Sequence, residues 1–135
     1  MKSLLCLCIL GALFFSACSK SSSSSTTNSQ LLGTWTLTKI ATDSNNDGIP
    51  EASEWMTATG AITFNSNMTG YHAVVTSTFS DTGSFTYTAS STYVVITDIK
   101  SGSSPSGLHI DSLTAHVIQL MDTSNGKKQW YYGTK

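Results

Sequence analysis

The chain has 135 residues, with seven lysines and no arginine against eight acidic side chains, a net charge of −1 and only 11% charged residues. That balance excludes the basic face of a nucleic-acid binder, and the length supports one hydrophobic core with no room for two. Threonine and serine fill the polar positions and aromatic residues make up 10% of the chain, a composition suited to strands more than to helices.

The first element is an apolar run over residues 4–15, preceded by Lys2, closed by the small residues Ser16 and Ala17, and followed by Cys18 and a serine tract at residues 21–25. The run has the length of a signal h-region and falls short of the ~20 apolar residues of a bilayer span. It resembles a bacterial lipoprotein signal peptide, with Phe15-Ser16-Ala17-Cys18 as the lipobox. The resemblance implies that residues 1–17 are removed and that Cys18 becomes a diacylglyceryl-modified, N-acylated first residue. Several acyl chains together anchor firmly, each buried methylene contributing about 0.8 kcal/mol. The expected address is the cell envelope, lipid-anchored to the outer membrane. Related bacteria read acidic residues after the cysteine as an export mark; Ser19-Lys20-Ser21 has none, which favours the periplasmic side. Cys6 and Cys8 leave with the signal and Cys18 is acylated, so no thiol remains for a disulfide, a metal or a nucleophile. An exported domain without disulfides is held together by its core. Residues 18–30 read as a Ser-rich tether and residues 31–135 as one domain.

From residue 33 onward a period of two recurs and a helical period is nearly absent. Residues 33–42 place Trp35 and Leu37 on one face. Residues 60–65 give Ile62 and Phe64. Residues 69–79 give Tyr71, Ala73, Val75 and Phe79, and Asp81-Thr82-Gly83 reads as a turn. Residues 84–89 give Phe85 and Tyr87, and residues 92–99 alternate Tyr93, Val95 and Thr97. Residues 108–111 form a short strand candidate, and residues 112–121 give Leu113, Ala115, Val117 and Met121. Asn125-Gly126 is the strongest hairpin signal, and residues 128–133 follow with Trp130 and Tyr132. The longer connections are residues 43–59 and 100–107. About eight strands joined by short turns predict an all-β, eight-stranded antiparallel up-and-down barrel, whose closure removes exposed edges. A β-sandwich is the alternative.

Leu31-Leu32-Gly33-Thr34-Trp35 resembles the Gly-x-Trp signature of lipocalins, and Ile62-Thr63-Phe64, Gly70-Tyr71 and Trp130-Tyr131-Tyr132 extend the pattern. Following a lipobox and tether, it is similar to the lipocalin-like domain of lipoproteins from Bacteroidetes-type bacteria, over residues 30–135. The resemblance implies a barrel fold and a small apolar ligand; ligand transport does not follow from the fold alone. Lipocalins place an arginine late in the barrel against the tryptophan. This chain has none, which leaves Lys127 or Lys128 as the cation to approach Trp35.

Residues 43–54 match the calcium-loop pattern D-x-[DN]-x-[DN]-G-x5-E at every fixed position. Calcium takes six to eight hard oxygens, which here would be supplied by Asp43, Asn45, Asp47, the Ile49 carbonyl, Glu51 and Glu54, with an affinity on the order of 10⁻⁴–10⁻³ M. The alternative is a solvated Asx-rich turn between strands. His72 and His116 fall out of phase with the apolar faces of their strands and are expected at the surface with His109. No nucleophile elbow, carboxylate pair or phosphate loop appears, and no enzyme is expected. Trp35, Phe64, Tyr71, Tyr87 and Trp130 are the candidate ligand-binding aromatics; they either line a cavity or fill the barrel, and their size favours a mostly filled interior. In the filled case the expected partner is an envelope protein or glycan.

Overall fold

The computed structural model describes residues 29–98, 105–123 and 126–135. Cys18, the signal segment and residues 18–28 of the tether lie outside them. After a helical turn at residues 29–31 come nine strands: β1 (Gly33–Thr42), β2 (Trp55–Thr57), β3 (Thr59–Phe64), β4 (Thr69–Val75), β5 (Ser80–Ala89), β6 (Tyr93–Asp98), β7 (Ser106–Leu113), β8 (Val117–Asp122) and β9 (Gln129–Thr134). Each pairs antiparallel with its neighbour, and β9 pairs with β1, so the sheet closes on itself. Closure overturns the sandwich alternative.

β2 and β3 lie along the same edge of β1. Lys39, Ile40 and Ala41 pair with β2, and Gly33 to Thr36 pair with β3. Buried Ala58 separates the two, its N–H donating to the Thr38 carbonyl at 3.0 Å. The pair is therefore one interrupted stave, and the barrel has eight. The connection expected over residues 43–59 thus ends in a strand, because Trp55 and Met56 pair across to Ala41 and Ile40.

Two further boundaries differ from expectation. Asp81-Thr82-Gly83 lies inside β5, opposite Val74, Ala73 and His72. The turn sits earlier, at residues 76–79, where the Thr76 hydroxyl accepts from the N–H groups of Thr78 and Phe79 at 3.2 and 3.1 Å. A side-chain oxygen that satisfies two turn donors competes well with a glycine-led turn. β7 begins at Ser106 and runs through Leu113, while the turn to β8 falls at residues 114–116, again closed by a threonine hydroxyl accepting from His116 and Val117 N–H.

The two ends of the barrel differ. At one end Leu31, Trp35, Phe64, Phe85 and Tyr87 are buried to 4% exposure or less. Phe64 meets Phe85 and Tyr87 edge-on at centroid distances of 5.6 and 5.1 Å, the geometry the ring quadrupole prefers. Gly70 makes room for this packing: a Cβ there would lie 2.2 Å from the Phe85 ring. The Tyr87 hydroxyl donates to the Asn65 carbonyl at 2.8 Å, so the burial leaves no phenol unpaired. The residue 43–54 loop and the 76–79 turn lie at the other end.

Candidate functional site

The open half of the barrel holds a cavity of about 180 Å³. Alternation along the staves builds it: Ile62 from β3, Val74 from β4, Ile118 and Leu120 from β8, each two positions from a residue of the filled half or of the lining. Leu37, Ile96 and Leu108 complete an aliphatic wall, and Phe79 stands at the rim, 39% exposed. The polar lining is His72, Asp81, Ser106 and Tyr131.

His72 corrects the sequence expectation that it faces solvent. Its ring lies inside the barrel over Gly83, its cross-strand partner, where a Cβ would come within 2.8 Å of the imidazole Cε1. The ring stacks on Phe85 with centroids 6.1 Å apart, and Nε2 lies 3.1 Å from Asp81 Oδ2. That nitrogen carries the proton in this bond, since an ionised carboxylate only accepts. Tyr131 points inward from β9 and donates its hydroxyl proton to Gln129 Oε1 at 2.9 Å. Burial, reinforced by the carboxylates of Asp122 and Asp81, pushes its pKa up to about 12.

The candidate aromatics are dispersed. Trp35, Phe64 and Tyr87 pack the closed half and lie outside the cavity lining. Tyr71 is 48% exposed, on the outer face of β4. Trp130 is buried but alternates with Tyr131 and faces away from the cavity, its indole N–H donating to Asp111 Oδ2 at 3.0 Å. The expected phase is therefore reversed in β4 and β9, and in β6 and β8 as well, where Val94, Ile118 and Leu120 are the buried residues. His109 bonds Asp111 through Nδ1 at 2.7 Å on the outer wall, and His116 lies exposed in a turn.

The cation at Trp35 is Lys135, not Lys127 or Lys128. Its Nζ lies 4.0 Å from the ring centroid and donates to the carbonyls of Gln30, at 3.0 Å, and Leu32. Burial lowers the pKa of this ammonium. Lys127 and Lys128 donate instead to the carbonyls of Ser44 and Gly48, because β9 runs them toward the opposite end of the barrel from Trp35.

The residue 43–54 loop closes on itself. Asp43, 3% exposed, accepts from Asp47 N–H through Oδ1 at 3.1 Å and from Gly48 N–H through Oδ2 at 3.0 Å. Asp47 Oδ1 accepts from Ile49 N–H at 2.9 Å, and Asn45 Oδ1 accepts from Asp47 N–H at 3.1 Å. Glu54 accepts from the N–H groups of Ser44 and Glu51; the bond from Ser44 is the chief cause of its lowered pKa. Among the described residues no three His, Cys, Asp or Glu side chains converge as a metal site. Asp43, Asn45, Asp47, Ile49, Glu51 and Glu54 share this one loop.

A closed eight-stranded antiparallel barrel, plugged at one end and hollow at the other, defines the structural class. A model of the lipocalin-like domain matches residues 31–120, and the chain belongs to that family. Among solved structures, the bovine odorant binding protein deswapped triple mutant is similar over 78% of this chain and 74% of that chain, at 11% identity and a TM-score of 0.44. The comparison with curated proteins returned no match.

Proposed function

We propose that the protein is a lipid-anchored binding module of the bacterial cell envelope, holding a small, largely apolar ligand in the open half of its barrel. The observation that carries this reading is the aliphatic cavity of about 180 Å³. Apolar cavities of about 150 Å³ accommodate a molecule the size of benzene, so the ligand has roughly six to nine non-hydrogen atoms. A mostly apolar pocket with a few polar groups is the usual form of a small-molecule site. The test is a cavity-filling substitution. Ile96→Trp is expected to weaken saturable binding of hexan-1-ol at least tenfold while the strand circular dichroism is kept, since overpacking costs about 1–3 kcal/mol. Equal binding by this variant and the parent chain would refute the cavity as the site.

The anchor is the second part of the proposal. The described chain enters the barrel at its closed end, where Gln30 and Leu32 are bonded to Lys135. Cys18→Ser is expected to abolish acyl modification and shift the protein out of the outer-membrane fraction. Continued membrane retention without acyl mass would refute it.

A further inference from the structure

We infer that the cavity selects an amphiphile with a cationic head, an alkylammonium or arylalkylammonium whose apolar body packs against the aliphatic wall and whose ammonium is received at Asp81. This deepens the proposed ligand-binding reading and rests on it.

The lining offers acceptors and, among the described residues, no lysine. Asp81 is ionisable, its side chain is 68% exposed at the mouth, and a carboxylate accepts more bonds than the single one it takes from His72. The imidazole Nε2–H is already committed to that carboxylate. The Tyr131 proton is committed to Gln129, which leaves its oxygen as an acceptor toward the cavity. Among the described residues no lysine lines the cavity: Lys127 and Lys128 are held by loop carbonyls, and Lys135 lies at the closed end over Trp35.

Two further carboxylates lie close to the lining. Asp98 lies two residues beyond Ile96 on β6, and Asp122 two residues beyond Leu120 on β8. By strand alternation both share the inward face with those lining residues. Asp122 and Asp81 both raise the Tyr131 pKa, which places their negative potential at the cavity wall. A carboxylate-headed ligand of the same length would meet this potential with the wrong sign. An ammonium meets it with the favourable sign.

The test uses the full acylated chain in zwitterionic lipid nanodiscs, with empty nanodiscs as the blank. Hexylammonium, hexan-1-ol and hexanoate are titrated separately by calorimetry. Hexylammonium is expected to bind at least tenfold more tightly than hexan-1-ol, and hexanoate more weakly than either. Asp81→Asn is expected to bring hexylammonium and hexan-1-ol to equal affinity; because Asp81 is solvent-exposed, this variant retains the fold. Equal affinity for hexylammonium and hexan-1-ol would overturn the head-group inference and leave the cavity proposal standing. An undiminished ammonium advantage in Asp81→Asn would overturn Asp81 as the receiving group. No binding of any of the three would overturn both readings.

Discussion

Replacing Trp35 by alanine is expected to destabilise the barrel by about 3–5 kcal/mol, the usual range for deleting a buried indole. For a domain of this size the melting temperature falls by more than about 10 °C. The magnitude follows from three roles on one side chain. Trp35 is fully buried in the closed half. Its Nε1–H donates to the Leu31 carbonyl at 2.8 Å, tying the entering helical turn to β1. Its ring receives the Lys135 ammonium, which in turn bonds two carbonyls of the same entering segment. Trp35→Ala therefore leaves a void and an orphaned carbonyl together. Lys135→Met is the informative contrast. It removes a cation–π contact worth about 0.5–2 kcal/mol but leaves the indole in place, so its loss is expected to be smaller. Thermal unfolding of the two variants side by side checks the ordering. A Trp35→Ala loss no greater than that of Lys135→Met would show that the closed half is not packed around the indole.

The closed half was also the legible half. In β1, β3 and β5 one face carries Trp35 and Leu37, Ile62 and Phe64, or Phe85 and Tyr87, while threonine and serine occupy much of the other. Where one face is apolar and the other polar, a period of two sets the register without ambiguity. β4 offers no such contrast. Tyr71, Ala73 and Val75 lie outward, and Gly70, His72 and Val74 lie inward. The outward set is the more apolar of the two, because the inward set faces a cavity with a polar rim and not a packed core. Choosing the greasier face inverts the strand, and a one-residue inversion moves every side chain across the wall. The same inversion occurs in β9, where Trp130 outranks Tyr131 in hydrophobicity although Tyr131 lines the cavity. The same choice puts His72 on the wrong side of the wall. The signal that would have found it is Gly83, a glycine kept inside a strand because a ring lies over it. That signal needs the β4–β5 register before it can be interpreted. Lys135 at Trp35 was hidden by sequence separation, since only barrel closure through β9 and β1 brings the two residues together.

Asp43→Ala is expected to cost about 1–3 kcal/mol, the penalty for leaving the Gly48 N–H without its acceptor, while the Asp47 N–H keeps Asn45 Oδ1. Asp43 is nearly fully buried where β1 ends, and its two oxygens hold the N–H groups of Asp47 and Gly48. Its own N–H donates to the Lys128 carbonyl at 2.9 Å, which a substitution of the side chain leaves intact. Asp43→Asn keeps one acceptor oxygen and is expected to lose about half as much. This loop shows how one acidic pattern supports two physical outcomes. The spacing that presents oxygens to a calcium ion also presents them to the backbone of a tight turn, and here the backbone N–H groups of residues 44, 47, 48, 49 and 51 take carboxylate oxygens. If these bonds alone hold the loop, the Asp43→Ala loss is the same in millimolar calcium and in a chelator. A metal that binds the folded loop adds RT ln(1 + [L]/Kd) to stability, so a loss that appears only with calcium present would assign the loop to the ion. Thermal unfolding of the parent chain and both variants, with and without calcium, separates the two outcomes.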